Sequence, residues 1–455
     1  MEYFVAVDLG TNHIKGMVAR KNEEGKLEIL ASESVDSKGI RNGMVANMSD
    51  AAFAVRRVLT LLENKEPLRS LNATIEQIYV GLGGKSLKTF EHTVTRVLPY
   101  DDEEVTQAMI DEMQEECWHL PIDIKSESGE IKQVEILEVR AQEFLVDDCT
   151  EQNPVGFICR NLQGKYRVVF ALADLRRNLC KAILEKASVK IAGMFISPMV
   201  MAEAMLTPKE KELGAVFLDF GAGTTSVSVY QNHYLRYVAV VPFGGNELTE
   251  DLKELKLVAE DAEDMKVECG NALAELEKDV KIYISPASSS AQGLEISSQL
   301  MASILEERLK EILGYVGKYL EKSAYASRLG AGAVIGGGAS KLKNIQKLVS
   351  RELGMETRFC NAENNVATAP GEDFDYLSYA QLIAVLNFAQ TSCVQINEQP
   401  KAKSKFNFSF GLKPKQAPKT KPEPKQKPAG PSIFDIIIKK TGIDEIFNDG
   451  VELKK

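Results

Sequence analysis

Two stretches of the sequence decide the fold: VAVDLGTN at residues 5–12 and VFLDFGAGTT at residues 216–225. Each is an apolar run that predicts a buried strand, then Asp, one further residue and Gly, and then a polar turn that leads into a second β-rich run. They begin about 210 residues apart. One such stretch is also typical of an ordinary hairpin turn. Two of the same design indicate a duplicated domain that clamps one charged ligand between its halves.

The first loop has the residue types that a phosphate and a divalent cation require. Gly10 lets backbone N–H groups turn toward an anion, and Thr11 and Asn12 add donors beside it. Lys15 offers a point charge for a phosphate. Asp8 is a candidate ligand for Mg2+ through water, because Mg2+ keeps several waters and takes few protein carboxylates.

The second loop supplies the matching half of the predicted site. Asp219 is expected to face the same cation from the other side, and Gly221 and Gly223 leave room for a phosphate. Thr224 and Thr225 are the candidate donors. The ligand that this pair of loops predicts is a magnesium–nucleotide.

Two other segments are candidates for the nucleoside end of that ligand. A glycine-rich loop between a predicted strand and a predicted helix, expected to pass close to a base or ribose, consists of Gly336, Gly337, Gly338 and Ala339. Such a triplet is also what a tight strand-to-helix turn requires. Glu263 and Lys266 lie one turn apart on a helix predicted over 259–269, where they form either a purine and ribose clamp or, as spacing alone favours, a solvated ion pair.

The composition is that of a soluble globular protein, with 44% hydrophobic and 26% charged residues among 455. The seven cysteines are scattered and never in a CxxC pair, which predicts a reducing compartment and neither a disulfide frame nor a zinc site. The net charge is −10, yet residues 400–430 carry nine lysines and one glutamate. An acidic body argues against nucleic-acid binding. The first residues enter a strand directly, so no signal peptide is predicted.

The alternation of strands and helices predicts an α/β fold of two lobes. We expect lobe 1 at 1–84, an inserted α+β subdomain at 85–165, lobe 1 again at 166–198, lobe 2 at 199–360 with a smaller subdomain at about 246–330, and a return to lobe 1 at 361–397. The helix predicted over 50–64 has Ser49 as its expected N-cap. Residues 398–431 are rich in Lys and Pro and predict a disordered linker.

The sequence of 432–455 predicts an amphipathic membrane-targeting segment, with an interfacial helix that has Ser432 as its N-cap and Gly442 as its C′ residue. Its apolar positions are Ile433, Phe434, Ile436, Ile437 and Ile438, followed by Ile443, Ile446 and Phe447. Asp444, Glu445 and Asp449 would be repelled by anionic lipid. The lysine-rich linker would offset that repulsion, at about 1 kcal/mol for each basic residue near the surface. The alternative is a helix that docks on a protein partner or on the body of the chain.

Taken in order, these segments resemble those of the actin, Hsp70 and sugar-kinase superfamily over about residues 3–390, and within it the FtsA family of bacterial cell-division proteins. Residues 212–225 are similar to that family's second phosphate segment. Residues 241–249, which include Gly245, are similar to its following strand and turn, and residues 263–270 to its adenosine-side helix. The position and size of the insertion, the Lys/Pro linker and the terminal apolar segment also fit.

The resemblance implies that the chain binds ATP and Mg2+, assembles into actin-like filaments and tethers FtsZ to the cytoplasmic face of the inner membrane at the division septum. It further implies that the C-terminal peptide of FtsZ binds around residues 246–330, and that other division proteins are recruited.

At most weak ATPase activity is expected, because hydrolysis needs a group that orients water on the γ-phosphate. Where actin-like filament proteins have Gln or Glu, this chain has Ser197 followed by Pro198, and Glu203 lies about two helical turns further on. Three alternatives stay open. A small-molecule kinase would need a catalytic Asp that no motif marks, a pilus-assembly relative would not be expected to have this tail, and an Hsp70-like chaperone would need a larger folded region after residue 390.

Overall fold

The computed structural model describes residues 2–98, 104–125, 130–284, 294–371, 373–397 and 451–453. The chain divides into two compact units. The first contains residues 1–120 and 134–397, and the second contains residues 121–133 and 398–455. The two lobes and most of the insertion belong to the first unit.

Twenty-four strands are found among the described residues. Those of the first half of the chain are β1 Phe4–Leu9, β2 His13–Lys21, β3 Leu27–Asp36, β4 Ile40–Arg41, β5 Met44–Val45, β6 Ala73–Ile75, β7 Gln77–Leu82, β8 Lys88–Val97, β9 Ile122–Lys125, β10 Ile131–Lys132, β11 Val134–Val146, β12 Cys149–Glu151, β13 Asn161–Leu172 and β14 Lys190–Ile196. Those of the second half are β15 Ala215–Phe220, β16 Thr225–Gln231, β17 Tyr234–Val241, β18 Lys281–Ile284, β19 Leu294–Ser297, β20 Ala333–Gly336, β21 Thr357–Phe359, β22 Val366–Thr368, β23 Val394–Ile396 and β24 Val451–Leu453.

Ten α-helices connect and cover these strands within the described ranges. They are α1 Met48–Glu63, α2 Gln107–Trp118, α3 Ala173–Cys180, α4 Ser197–Met205, α5 Pro208–Leu213, α6 Gly245–Leu252, α7 Ala259–Cys269, α8 Ser298–Lys322, α9 Ile345–Leu353 and α10 Tyr376–Asn387. A π-helical segment, Lys181–Lys186, continues α3. Short 3₁₀ turns include Gly338–Lys341.

Lobe 1 is built on a six-stranded sheet of order β14-β7-β1-β2-β3-β22. β1, β2 and β3 form an antiparallel meander. β7 and β14 extend the sheet in parallel on the other side of β1. β1 is almost continuously apolar and buried, as expected of a strand covered on both faces. Since β1, β7 and β14 are parallel, Asp8, Gly81 and Ser197 come together where these strands end.

Lobe 2 repeats the plan in a five-stranded sheet of order β17-β16-β15-β20-β21. β15, β16 and β17 form the meander, and β20 and β21 extend it in parallel from the other side of β15. Asp219 near the end of β15 therefore occupies the position in lobe 2 that Asp8 occupies in lobe 1. The two lobes therefore share one plan, which is the duplication that residues 5–12 and 216–225 predict.

The inserted region contributes a four-stranded antiparallel sheet of order β12-β11-β13-β8, with α2 packed on it. The helix begins after Thr106, whose side chain accepts the N–H of Met109, and it buries Ile110, Met113 and Cys117. The predicted fold class, a duplicated two-lobe α/β fold with an α+β insertion, is confirmed. The predicted domain boundaries stay predictions, and the one at residue 165 falls inside β13.

The start of α1 and its N-cap each differ from the prediction by two residues. The helix begins at Met48, and Asn47 is the N-cap because its side chain accepts the N–H groups of Ser49 and Asp50. Ser49 as N-cap was therefore wrong. Asn and Ser cap helices about equally well, so residue type alone does not choose between them.

The second unit contains a small sheet of order β10-β9-β24. β24 pairs antiparallel with β9, with Val451 opposite Ile124. Residues 451–453, which belong to the segment predicted to target the membrane, therefore form a strand. The predicted linker at 398–431 and the predicted membrane residues from Ile433 to Phe447 lie outside the described residues. None of the helices in the described ranges has both the length and the apolar character needed to cross a membrane.

Candidate functional site

The two Asp-Gly loops come together in a cleft between the lobes. A Cβ placed on Gly223 would lie 2.8 Å from Oγ1 of Thr11 and 3.3 Å from Cα of Asn42. Side-chain N–H of Asn42 also donates to the carbonyl of Pro242 at 3.2 Å. Because only glycine fits at position 223, the close approach of the two loops depends on this residue. The clamp predicted from the sequence is thus a direct contact between its halves.

Asp8 and Asp219 are partly buried in this cleft and lie close enough to influence each other's ionisation. Burial and, after it, the neighbouring charge of Asp8 together raise the pKa of Asp219 to about 6. Burial also raises the pKa of Asp8, against the opposing effect of Lys15 and a hydrogen bond from Gln381. Two carboxylates that resist ionisation together form a site that a cation would stabilise.

The donor set fits a hydrated divalent cation better than a fully protein-ligated one. No group of three or more His, Cys, Asp or Glu side chains with metal-binding geometry occurs in the parts of the chain that the structure describes. Mg2+ commonly binds through one or two carboxylates while keeping several waters. Asp8 and Asp219 supply that number of carboxylates, with open space between the loops beside them.

Lys15 brings a positive charge to the same cleft. Its Nζ donates to the carbonyl of Ser378 at 2.6 Å and lies 5.4 Å from the ring centroid of Tyr379. The ammonium group has three donor hydrogens, so this bond leaves donors for an anion in the cleft. The side chain is held in place by α10 and not by its own strand.

The glycine-rich loop at residues 336–339 runs directly beneath the second carboxylate. Gly337 has φ +87°, and a Cβ there would lie 2.4 Å from Oδ1 of Asp219 and 2.5 Å from the carbonyl oxygen of Phe220. Both the backbone conformation and the lack of space require glycine. Gly338 and Ala339 follow it along the wall of the cleft.

Glu263 and Lys266 form the i,i+3 ion pair on α7, with Nζ–Oε2 at 2.6 Å. The lysine end of the pair is buried, because the Lys266 side chain is only 10% exposed, whereas the Glu263 side chain is 37% exposed. Its Nζ also donates to the carbonyl of Gly245 at 3.0 Å and to Oγ1 of Thr249 at 2.9 Å. Thr249 in turn donates to Glu263. The pair therefore fastens α7 to the start of α6 while both side chains face the cleft.

The lobe 1 wall beside Asp8 is polar and crowded. A Cβ on Gly81 would lie 2.4 Å from Oγ of Ser197 and 2.7 Å from Nε2 of Gln381. Ser197 is buried, and its Oγ has no hydrogen-bond partner among the described residues. Nε2 of Gln381 donates to Oδ1 of Asp8 at 2.8 Å. A buried hydroxyl without a partner, next to a tethered carboxylate, is a fitting place for an ordered water or a ligand oxygen.

Glu203 does not reach this wall. Its carboxylate pairs with Lys211 at 2.6 Å and accepts the hydroxyl of Tyr230 at 2.8 Å. Burial alone would raise the pKa of Glu203, but these two hydrogen bonds outweigh it and lower the pKa. The side chain is thus an ionised structural group, and it is absent from the cleft lining.

The cleft encloses about 470 Å³, a volume typical of sites for small molecules and cofactors. Of the candidate nucleotide residues, the following line it: Asp8, Gly10, Thr11, Asn12, Lys15, Asp219, Gly221, Gly223, Thr224, Gly245, Glu263, Lys266, Gly337, Gly338 and Ala339. Thr225 and Gly336 do not. Thr225 is fully buried and donates its hydroxyl to the carbonyl of Phe243 at 2.9 Å, so it fastens the turn to the next strand. Gly336 belongs to β20, where its pairing with β15 places it behind the loop.

Several residues of the cleft were not predicted. Gln381, Ser226 and Lys341 contribute polar groups. Gly81, which has no side chain, leaves space for Oγ of Ser197 and Nε2 of Gln381. Their sequence context carries no turn or motif signal, since Gln381 and Ser226 lie within a helix and a strand. The one local signal was the hydroxyl-rich run after Gly223. It predicted Thr225 as a residue of the cleft, whereas Ser226 lines the cleft.

Sequence comparison connects the chain to a single family description. The family profile described as "Cell division protein FtsA" matches residues 216–384. The protein of that name from Porphyromonas gingivalis is 29% identical over 356 residues, which cover 78% of this chain and 71% of the relative. The one from Escherichia coli K12 is 24% identical over 417 residues, which cover 90% of this chain and 94% of the relative.

Comparison with solved structures supports the fold. The chain is similar to a protein in the PilM-PilN type IV pilus biogenesis complex, with a TM-score of 0.56 and 16% identity over 84% of this chain and 96% of that one. At this identity the likeness concerns the fold alone.

Proposed function

We propose that this chain is a member of the FtsA family of actin-like cell-division proteins, and that its cleft binds ATP together with Mg2+ as the ligand that controls its assembly. The observation that carries the proposal is the contact between the two Asp-Gly loops, which brings two partly buried carboxylates and Lys15 into one cleft. Paired phosphate loops with a carboxylate on each side fit a magnesium–polyphosphate better than they fit a neutral ligand.

Each part of the nucleotide has a matching set of groups. Asp8 and Asp219 would hold the hydrated cation, and the backbone N–H groups of the loops around Gly10 and Gly223 would receive the phosphates. Lys15 adds charge to the phosphate side. The nucleoside would lie toward α7 and the glycine-rich loop. Bound Mg2+ supplies charge neutralisation for the phosphates.

We expect the nucleotide to act mainly as a conformational and assembly ligand, with at most weak hydrolysis. Ser197 has a short, uncharged side chain that cannot serve as a general base. The carboxylate of Glu203 forms an ion pair with Lys211 and accepts a hydrogen bond from Tyr230. A group that orients a water on the γ-phosphate is thus missing at the position where actin-like filament proteins have one.

The family supports a cellular role beyond the cleft. We propose that the chain self-associates into filaments, binds the C-terminal peptide of FtsZ through the region of about 246–330, and recruits other division proteins at the septum. The apolar segment within 432–455 would hold it to the cytoplasmic face of the inner membrane. The lysines of 400–430 would add attraction to anionic lipid.

Vesicle sedimentation with FtsZ tests this role. Vesicles containing anionic lipid are mixed with FtsZ, with the full chain or with a chain that ends at residue 431. We expect FtsZ to pellet only with the full chain. Equal pelleting by both chains would contradict the membrane segment, and a full chain that pellets alone but leaves FtsZ in solution would contradict the tether.

The charge of the linker gives a control for that experiment. In neutral vesicles the lysine contribution is lost, so the full chain should bind more weakly and with little dependence on salt. Binding that is equal in neutral and anionic vesicles would assign the attachment to the apolar segment alone.

A further inference from the structure

Gln381 contacts the first carboxylate from an element far away in the sequence. It lies on α10, and its Nε2 donates to Oδ1 of Asp8 at 2.8 Å. The assignment of nitrogen to this contact follows from chemistry, because an ionised carboxylate only accepts hydrogen bonds. The amide therefore fixes one oxygen of Asp8 without neutralising its charge.

The other oxygen of Asp8 is turned toward the phosphate loop. Oδ2 lies 3.7 Å from the position that a Cβ on Gly10 would take. No side chain of the described residues other than Gln381 hydrogen-bonds to the Asp8 carboxylate. The orientation of that carboxylate consequently depends on a single neutral donor.

Asp219 has a comparable arrangement in lobe 2. The hydroxyl of Ser226 lies 3.5 Å from Oδ2 of Asp219, and Oδ1 faces Gly337. Each carboxylate thus has a neutral donor on one oxygen, and the donor on Asp8 is the closer and better positioned of the two. Neutral donors leave both negative charges available to a cation, which a lysine at either position would not.

The space around Gln381 admits little movement of its amide. Its Nε2 would lie 2.7 Å from a Cβ on Gly81, and Oγ of Ser197 would lie 2.4 Å from the same Cβ. A shorter side chain at 381 would not reach Asp8, and an apolar one of similar size would fill the space without donating.

We propose that Gln381 is a positioning residue for cation binding: it holds one oxygen of Asp8 and so presents the other to the Mg2+ that accompanies the nucleotide. The inference rests on the proposed function of the cleft. Residues that hydrogen-bond to metal ligands typically contribute about 10–100-fold to metal affinity.

Calorimetric titration of ADP into the full chain tests the assignment, once in excess Mg2+ and once in EDTA. For Gln381→Leu we expect an affinity loss of about 10–100-fold in Mg2+ and little change in EDTA. The matched control is Gln346→Leu, because Nε2 of Gln346 also donates to a single oxygen, the carbonyl of Thr357 at 2.6 Å, away from the cleft. That variant should bind like the wild type.

A double-mutant cycle separates positioning from a general structural effect. If Gln381 acts through Asp8, Gln381→Leu should cause no further loss of Mg2+-dependent affinity in an Asp8→Asn background. A further loss there, an equal loss in EDTA, or wild-type affinity of Gln381→Leu in Mg2+ would each overturn the inference. If Gln381→Leu does not fold, Gln381→Asn is measured with the same expectation.

The wild-type titration distinguishes the two proposals. Mg2+-dependent ADP binding that Gln381→Leu leaves unchanged would overturn the role of Gln381 and leave the proposed function standing. A wild-type chain that binds no ADP in either condition would overturn both.

Discussion

At the scale of single residues, the cleft is built at a cost in stability. Asp219 lies next to Asp8, and burial followed by this like charge raises its pKa from 3.8 to about 6. The folded protein therefore binds a proton at Asp219 more tightly than the unfolded chain does. Its stability falls as the pH rises through this interval, and the full cost is present above about pH 6.

Asp219→Asn should accordingly stabilise the ligand-free protein. The pKa difference corresponds to on the order of 1–3 kcal/mol at about pH 7.5, and to roughly half of that at about pH 5, where the folded-state carboxyl is already mostly protonated. Chemical denaturation at the two pH values measures the effect. A variant that is less stable than the wild type at about pH 7.5 would contradict this account of the carboxylate pair.

Gly337 is a residue of the cleft where we expect one added methyl group to have a large effect. Gly337→Ala should lose about 1–3 kcal/mol of stability because alanine is strained at φ +87°, and because its Cβ would displace Asp219. Gly314→Ala is the control: Gly314 lies within α8 with nothing within 4 Å of an added Cβ. There we expect a gain of about 0.5–1 kcal/mol.

Denaturant unfolding of the two alanine variants decides the matter, and opposite signs are the expected result. Equal stability of Gly337→Ala and the wild type would mean that the loop can move away from Asp219. The glycine would then not be required by the geometry of the cleft.

The candidate residues of the two Asp-Gly loops share one property: they follow directly from a strand–Asp–Gly–turn pattern. Asp8, Gly10, Asp219 and Gly223 are recognisable because the turn needs glycine and the ligand needs a carboxylate at the strand end. Gln381 could not be found this way, since it meets Asp8 from 373 positions away. Such contacts depend on how α10 packs against the sheet, which no local pattern records.

At the scale of elements, α10 connects the parts of the cleft. Asp375 is its N-cap and accepts the N–H of Ser378 at 3.1 Å. The same carboxylate pairs with Lys341 of the lobe 2 loop at 2.7 Å. Further along the helix, the carbonyl of Ser378 holds Lys15, and Gln381 holds Asp8. The lobe 1 helix α10 thus contacts Lys15 and Asp8 in its own lobe and Lys341 just after the glycine-rich loop of lobe 2.

Two substitutions of Asp375 separate its cap from its ion pair. Asp375→Ala removes both and should cost about 1–2 kcal/mol. Asp375→Asn keeps a good cap and loses only the charge, which is worth about 0–1 kcal/mol at a partly exposed pair. Urea unfolding at neutral pH measures both. Equal losses for the two variants would show that the cap contributes nothing.

The pH dependence of Asp375 has the opposite sign to that of Asp219. Burial alone would raise its pKa, but hydrogen bonds from Lys341 and Ser378 outweigh burial and lower it. The stabilisation is therefore complete above the ordinary pKa of 3.8 and is lost as the pH falls through the folded-state value. The difference between the wild type and Asp375→Asn should shrink in acid.

Element types were more predictable than their ends. The helix over 259–269 was predicted with its observed limits, because its apolar spacing and the following glycine are clear local signals. The start of α1 was misplaced, since several capping residues stand side by side at residues 47–50. The strand at 451–453 was not predicted because its pairing with β9 joins distant parts of the chain.

At the scale of the whole molecule, the insertion is fastened to lobe 2 as well as to lobe 1. Thr89 of β8 donates to the carbonyl of Val238 in β17 and accepts its N–H, both at 3.1 Å. Arg236 of the same strand, almost fully buried, forms an ion pair with Glu143 of β11. A movement of lobe 2 that follows nucleotide binding would therefore be transmitted to the insertion, which suits a ligand that controls assembly.

One magnesium–nucleotide should bind between the two Asp-Gly loops, and calorimetric titration of ATP is the decisive measurement. The wild type should bind one nucleotide per chain, more tightly with Mg2+ than with EDTA. Asp8→Asn and Asp219→Asn should each lose at least about 10-fold in affinity in Mg2+ and most of the dependence on the cation. Unchanged affinity and unchanged Mg2+ dependence in both variants would contradict the claim.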